Sequence, residues 1–200
     1  MRNHIVIIVS GLGDYVQSIK LATYHWKIYG LTPIVHSANW KNNKEPFEIK
    51  FKKLLDLVDS FLEKGKPVSL IGTSAGASLA LNAFLLRKNG VNKFVNICGR
   101  LKVGPIVGPR SFIKMTKTSL AFADSVKKAE FGIKSLTKND LKRIMTVRSM
   151  FGDQFVPPET SIVEGAKNIT VPIVEHTLSI GISLMFYSAK IASFLTKTTT

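Results

Sequence analysis

A serine hydroxyl becomes a strong nucleophile when a base takes its proton and a turn holds it clear of its neighbours. One stretch of this chain is built for the second requirement. In Val68-Ser69-Leu70-Ile71-Gly72-Thr73-Ser74-Ala75-Gly76-Ala77, an apolar run breaks at Gly-Thr-Ser-Ala-Gly and continues into helix-forming residues. A strand that reverses into a helix within about one residue strains the turning residue, and the positions two before and two after it must lack bulk. Gly72 and Gly76 hold those positions. The pattern predicts a nucleophile elbow, with Ser74 raised above a sheet edge. The Ala75 N–H would stand at a helix N-terminus, where it could bind an oxyanion. The same residues would also make a tight connection, so the chemistry depends on finding a base and an acid elsewhere.

The chain has four histidines. His4 opens the first apolar run and His25 falls inside a helical stretch, which leaves His36 and His176 at strand ends, where a site can form. For the acid, Phe151-Gly152-Asp153-Gln154-Phe155-Val156-Pro157 puts a carboxylate directly after a strand end, and Asp153 is the favoured choice. Glu159 and Glu175 are rivals by position. Glu175 adjoins His176, but successive side chains diverge. Asp124 reads as a salt-bridge partner among lysines and Asp140 as a helix N-terminal charge.

These residues need a scaffold, and the hydrophobic pattern supplies one. Residues 4–10 form a β-branched run that suits a strand buried on both faces. A helix is expected over 16–29, closed by Gly30, and a second strand over 32–37. An amphipathic helix over 45–64 stops at Gly65. Strand 67–71, the elbow helix 75–88 and strand 92–98 follow. A Gly/Pro-rich stretch at 99–109 and basic helices at 111–131 and 137–143 then interrupt the rhythm. This basic segment, about 100–143, is expected over the sheet rim. A fifth strand over 144–150, a loop at 152–158, a short helix over 159–166 and a sixth strand over 169–174 precede a nearly apolar helix over 178–195. The alternation predicts a doubly wound, mostly parallel six-stranded sheet with helices on both faces, in a single domain over 1–200.

The net charge of +15 is large for 200 residues, and twelve lysines and arginines against three acids in 99–150 account for +9 of it. Such a field attracts polyanions or an anionic membrane surface. No zinc-finger spacing, aromatic-basic RNA motif or basic heptad accompanies the charge, so no specific nucleic-acid partner is expected. The single Cys98 lies in an apolar run, which excludes a disulfide within the chain and favours packing. The apolar run at the N-terminus is too short for a secretory signal, and a cytoplasmic location is expected. The last helix approaches the length of a membrane span, but its serines and Lys190 favour a packed core helix.

Taken together, Gly72-Thr73-Ser74-Ala75-Gly76 after a strand, Asp153-x-x-Val156-Pro157 after a later one and His176 after the last resemble the α/β-hydrolase superfamily over nearly the whole chain. The order Ser, Asp, His is the one that superfamily uses. The resemblance implies a minimal, capless serine hydrolase of the esterase, lipase or thioesterase kind. Ser74 would be its nucleophile, His176 its base and Asp153 the acid that orients the base. It also implies an oxyanion hole completed from the turn after the first strand; matching Gly11 to that turn's glycine makes the Leu12 N–H the partner of Ala75, with Ser10 where a histidine often lies. The expected activity is hydrolysis of a small acyl ester through an acyl-serine, with no cofactor and no metal. A thioesterase and a non-catalytic binding or membrane-surface module are the alternatives. Apolar residues of 99–135 could wall an acyl site.

Overall fold

The computed structural model describes residues 4–197. Strand β1 (His4–Val9) is buried at every residue. It pairs in parallel with β2 (Leu31–His36) on one side and with β3 (Val68–Thr73) on the other. Beyond β3 lie β4 (Val91–Ile97), β5 (Ile144–Ser149) and β6 (Lys167–Val171), all parallel, in the order β2-β1-β3-β4-β5-β6. The six-stranded doubly wound sheet expected from the sequence is the one observed.

The period-two alternation of β1 shows how the layers form. Ile5, Ile7 and Val9 join a core with Leu54 and Val58 of α2 (Phe47–Leu62), Leu79 and Phe84 of α3 (Gly76–Leu86), and Phe122 and Val126 of α5 (Leu120–Ile133). Val6 and Ile8 face the opposite core, with Ile19 of α1 (Val16–Thr23), Leu184 of α8 (His176–Met185) and Ile191 of α9 (Ser188–Thr196). Each large aliphatic or aromatic side chain so buried contributes about 1.5–3 kcal/mol. Because crossovers are right-handed, the step from β1 back to β2 runs over one face and the steps through β3 and β4 over the other. The winding therefore reverses between β1 and β3, and a crevice opens there at the carboxyl ends of the strands.

Five elements differ from expectation: the short helix expected over 159–166 is the single turn α7 (Pro158–Ser161), ended by extended backbone at Ile162, and four others differ for local reasons. The helix expected over 16–29 ends at Thr23, whose hydroxyl donates to the Ile19 carbonyl at 2.8 Å, and goes on as a 3-10 helix, Tyr24–Tyr29. The buried Trp26 indole anchors that turn to the Leu184 carbonyl at 2.9 Å. The helix expected over 111–131 is two, α4 (Phe112–Thr116) and α5, which restarts where the Ser119 hydroxyl accepts the Phe122 N–H. Strand β6 ends before Pro172, which lacks an N–H for the ladder. The apolar C-terminal stretch is α8 and α9, bent by 62° at their junction. Among the described residues no single helix is long and apolar enough to cross a membrane. The basic segment is also more than a rim: α5 packs against α2 and α3 in the layer on the sheet face, followed by α6 (Lys138–Leu141) before β5.

His4 is buried where β1 begins, its Nε2 3.0 Å from the Ser69 hydroxyl. Burial, reinforced by the charge of Lys93, holds its pKa below the usual histidine value. The native state therefore binds fewer protons than the unfolded chain; the stability this contributes is complete above the unfolded pKa of about 6.5 and is lost as pH falls below it. His36, also lowered chiefly by burial, acts in the same direction. The urea midpoint is expected to be lower at pH 5 than at pH 7.5, and His4→Gln should narrow that gap.

Candidate active site

Ser74 sits between β3 and α3 with φ of 50°, a left-handed conformation that costs a non-glycine residue about 1–3 kcal/mol. The surrounding backbone holds it there. Its N–H donates to the Ile97 carbonyl at 3.0 Å, and its carbonyl accepts the Ala77 N–H at 3.1 Å. The flanking glycines are needed for space, since neither has a positive φ. A Cβ on Gly72 would lie 2.2 Å from the Ala77 Cα, and one on Gly76 would lie 2.3 Å from the Val9 carbonyl oxygen. Both obstacles are backbone. Gly76→Ala is therefore expected to push α3 off β1 and cost about 1–3 kcal/mol, read as a thermal midpoint lower by several degrees.

Three side chains on separate elements meet at this turn. His176 Nε2 is 2.9 Å from Ser74 Oγ, and His176 Nδ1 is 2.6 Å from Asp153 Oδ2. The other carboxylate oxygen of Asp153 accepts the Phe155 N–H at 2.8 Å and the Val156 N–H at 2.9 Å, which fixes the carboxylate plane. Asp153 and His176 are both buried. His176 is the first residue of α8, and its N–H donates to Gln154 Oε1 at 3.2 Å. The Phe155 ring stands edge-on to the imidazole at 5.4 Å. Serine, imidazole and carboxylate thus form one hydrogen-bonded chain in the arrangement that turns a hydroxyl into a nucleophile.

The loop after β1 closes in from the other side. A Cβ on Gly11 would lie 2.7 Å from the Ser74 Cβ, so this loop passes directly against the serine. Leu12 and Ala75 both line the cavity that holds Ser74, and among the described residues neither N–H donates to another protein group. Asp14 braces the loop: its two carboxylate oxygens accept from the Ser10 hydroxyl at 2.5 Å and the Ser37 hydroxyl at 2.6 Å. Its own N–H donates to Gly11 O at 3.0 Å. Ser10 serves this brace.

The cavity measures about 600 Å³ and runs from Ser74 and His176 between α1 and α8, along Ile19, Ala22, Ile180 and Leu184. From the basic segment only Arg100, Met115 and Phe122 reach it, whereas Ile106, Val107, Ile113, Leu120 and Phe131 are exposed. The apolar wall is thus mainly α1 and α8.

The rival residues lie elsewhere. Glu159 is exposed and bonds neither site histidine nor serine. The Glu175 carboxylate caps α8 at the Leu178 N–H, takes a hydrogen bond from Gln154 at 2.9 Å, and is held below its usual pKa first by that cap. Asp124 is an exposed partner of Lys127, and Asp140 closes a capping box with Thr137. His36 ends β2 and bonds neither Ser74 nor Asp153. Cys98 is buried, and burial pushes its thiol pKa up, away from thiolate chemistry.

Two residues that support the site lie outside the predicted set. Gln154 bridges His176 and Glu175, and Asn96 pins the turn after β4 through the Gly99 N–H at 2.9 Å and the Ser161 carbonyl at 2.7 Å. Gln154 was nonetheless readable as the neighbour of the favoured acid. Asn96, inside a strand, carried no signal.

No protein-family model and no curated protein matches the sequence. Solved structures do match in shape. A monoacylglycerol lipase from Paleococcus ferrophilus superposes with a TM-score of 0.69 at 13% identity, covering 97% of this chain and 94% of that one. A soluble variant of Saccharomyces cerevisiae monoglyceride lipase gives 0.68 at 14%, covering 99% and 87%. A structure described with the metagenome-derived lipolytic enzymes LipS and LipT gives 0.68 at 11%, covering 96% and 93%. The chain has the α/β-hydrolase fold. Within it, the crevice at the reversal between β1 and β3 is where Ser74, His176 and the Gly11–Leu12 turn converge.

Proposed function

We propose that this α/β-hydrolase-fold protein hydrolyses an acyl ester through an acyl-serine intermediate. The observation that carries the reading is the hydrogen-bonded chain Ser74, His176, Asp153 opening into an apolar cavity. His176 Nε2 takes the Ser74 proton as Oγ attacks the ester carbonyl carbon. The oxyanion so formed accepts from the Leu12 and Ala75 N–H groups. Collapse breaks the bond to the leaving oxygen, which departs as the alcohol with the proton from His176. Water then repeats the sequence on the acyl-serine and releases the acid. Asp153 holds the Nδ1–H and stabilises the imidazolium at both stages. The acyl chain lies along Ile19, Ala22, Ile180 and Leu184. A thioester would enter by the same steps with a thiol leaving.

A fluorophosphonate probe should label Ser74, and p-nitrophenyl esters of graded chain length should show an optimum set by the cavity. A folded protein that neither labels nor turns over any of these esters would refute the reading.

One surface feature favours substrate presented at an anionic membrane. Exposed Ile106, Val107, Ile113 and Leu120 share a short stretch with Lys102, Lys114 and Lys117. Apolar side chains that enter the headgroup region beside lysines that pair with anionic lipid make a surface anchor. Sedimentation with phosphatidylserine vesicles should fall sharply between about 0.05 and 0.5 M salt; binding that ignores salt and lipid charge would count against it.

A further inference from the structure

The mechanism leaves one charged residue of the cavity without a task. Asn96 clamps Gly99, whose Cβ position lies 2.5 Å from the Ser74 carbonyl oxygen, so the chain after β4 runs tight against the elbow. Arg100 follows at once. The next N–H, of Leu101, donates to the Thr160 carbonyl at 2.8 Å. Arg100 is therefore held by fixed backbone on both sides, and its side chain joins Ser74 and His176 in the cavity lining.

Arg100 as a whole is only 1% exposed. Nη2 donates to the Arg110 carbonyl at 2.9 Å, while Nε and Nη1 are buried with no partner. The face of Phe112 lies 5.9 Å away and offers a modest cation–π attraction. No carboxylate among the described residues forms an ion pair with Arg100; Glu159 acts on it only through its charge, from an exposed position. Burial works against the cation, yet an arginine stays protonated in a protein. A buried charge left unpaired costs several kcal/mol, a cost that an apolar residue of similar size would avoid. Nε and Nη1 lie on different edges of the guanidinium, each beside Nη2, which spends one of its two N–H groups on the Arg110 carbonyl; the edge that bond leaves open presents two parallel donors, an arrangement that best fits an oxyanion with two oxygens to offer.

We propose that Arg100 is the anion-binding group of the catalytic cavity, and that the ester cleaved there carries a carboxylate or phosphate within reach of its guanidinium. This rests on the ester-hydrolase reading and gives it a substrate class. Nε and Nη1 are fully buried although Arg100 lines the cavity, so contact with an anion requires a neighbouring side chain to move aside. Once made, the pair lies in a low-dielectric setting where it is strong. Arg100 also ties the anion to the machinery, since Arg110, whose carbonyl it holds, donates to the Asp153 carbonyl at 2.9 Å.

The test compares charged and neutral substrates of equal acyl length. One pair is the p-nitrophenyl monoester of glutaric acid against p-nitrophenyl valerate; the other is 1-valerylglycerol 3-phosphate against 1-valerylglycerol. The parent protein is expected to prefer the charged member of at least one pair by about tenfold or more in kcat/KM, equivalent to about 1.4 kcal/mol. The pair that responds identifies the anion. Arg100→Gln should bring that ratio near unity, mainly through KM, and Arg100→Lys should restore it in part. A preference for the neutral member in both pairs overturns the proposal, as does a charged preference that survives Arg100→Gln. Should the variants fail to fold, the parent decides: at constant ionic strength, glutarate or inorganic phosphate competes with the neutral ester if the proposal holds, and neither competes if it does not. Fluorophosphonate labelling of Ser74 separates the two levels. Labelling with no charged preference removes only the role of Arg100, whereas a folded parent that neither labels nor turns over an ester removes the underlying reading.

Discussion

Ser74→Ala is expected to fold as the parent does, to take no fluorophosphonate, and to lose turnover of its best p-nitrophenyl ester by at least about 10⁴-fold. The loss is large because no neighbouring group can replace the hydroxyl: the single cysteine, Cys98, is buried with its thiol pKa raised, and Thr73 Oγ1 already donates to the Val9 carbonyl at 3.2 Å. Stability should barely change. Alanine meets the same left-handed φ of 50° as serine, and the backbone bonds from Ile97 and Ala77 that hold the turn do not involve the side chain. Thermal unfolding and ester turnover, measured on the same sample, check both halves. Turnover within tenfold of the parent would mean that some other residue does the chemistry.

The elbow was legible because its requirements are local. Strand, turning residue and flanking glycines are consecutive, and the steric need at Gly72 and Gly76 follows from how closely a helix must leave a strand. Strand β1 was legible for a similar reason, as a continuous β-branched run buried at every residue. What escaped was set by distant partners. The helix at Thr23 gives way to a 3-10 turn where Trp26 reaches the Leu184 carbonyl, 158 positions along the chain. Arg100 looked like one more basic residue of a solvated segment until the fold buried it beside Ser74. Of the apolar residues of 99–135 that could wall an acyl site, only Met115 and Phe122 line the cavity. Hydrophobicity alone could not tell which apolar residues of 99–135 turn inward, and the cavity is faced instead by α1 and α8, elements whose sequence patterns read simply as core.

Asp153→Asn should separate orientation from stability. The wild-type carboxylate does two jobs with two oxygens: Oδ1 accepts from the Phe155 and Val156 N–H groups, and Oδ2 meets His176 Nδ1 at 2.6 Å. Asparagine keeps the first job, since its carbonyl oxygen can accept both backbone donors. Its amide then faces Nδ1 as a donor, which places the imidazole proton on Nε2. In that tautomer His176 donates to Ser74 and cannot take its proton, so turnover is expected to fall about 10⁴-fold with the unfolding midpoint nearly unchanged. Asp153→Ala does both kinds of damage: it removes the orienting group and strands two backbone N–H groups, each costing about 1–3 kcal/mol. A stability loss in the alanine variant alone, with deep losses of turnover in both, is the pattern this geometry requires. Parental turnover in a folded Asp153→Asn protein would remove Asp153 from the reaction, and no other carboxylate among the described residues bonds the His176 ring.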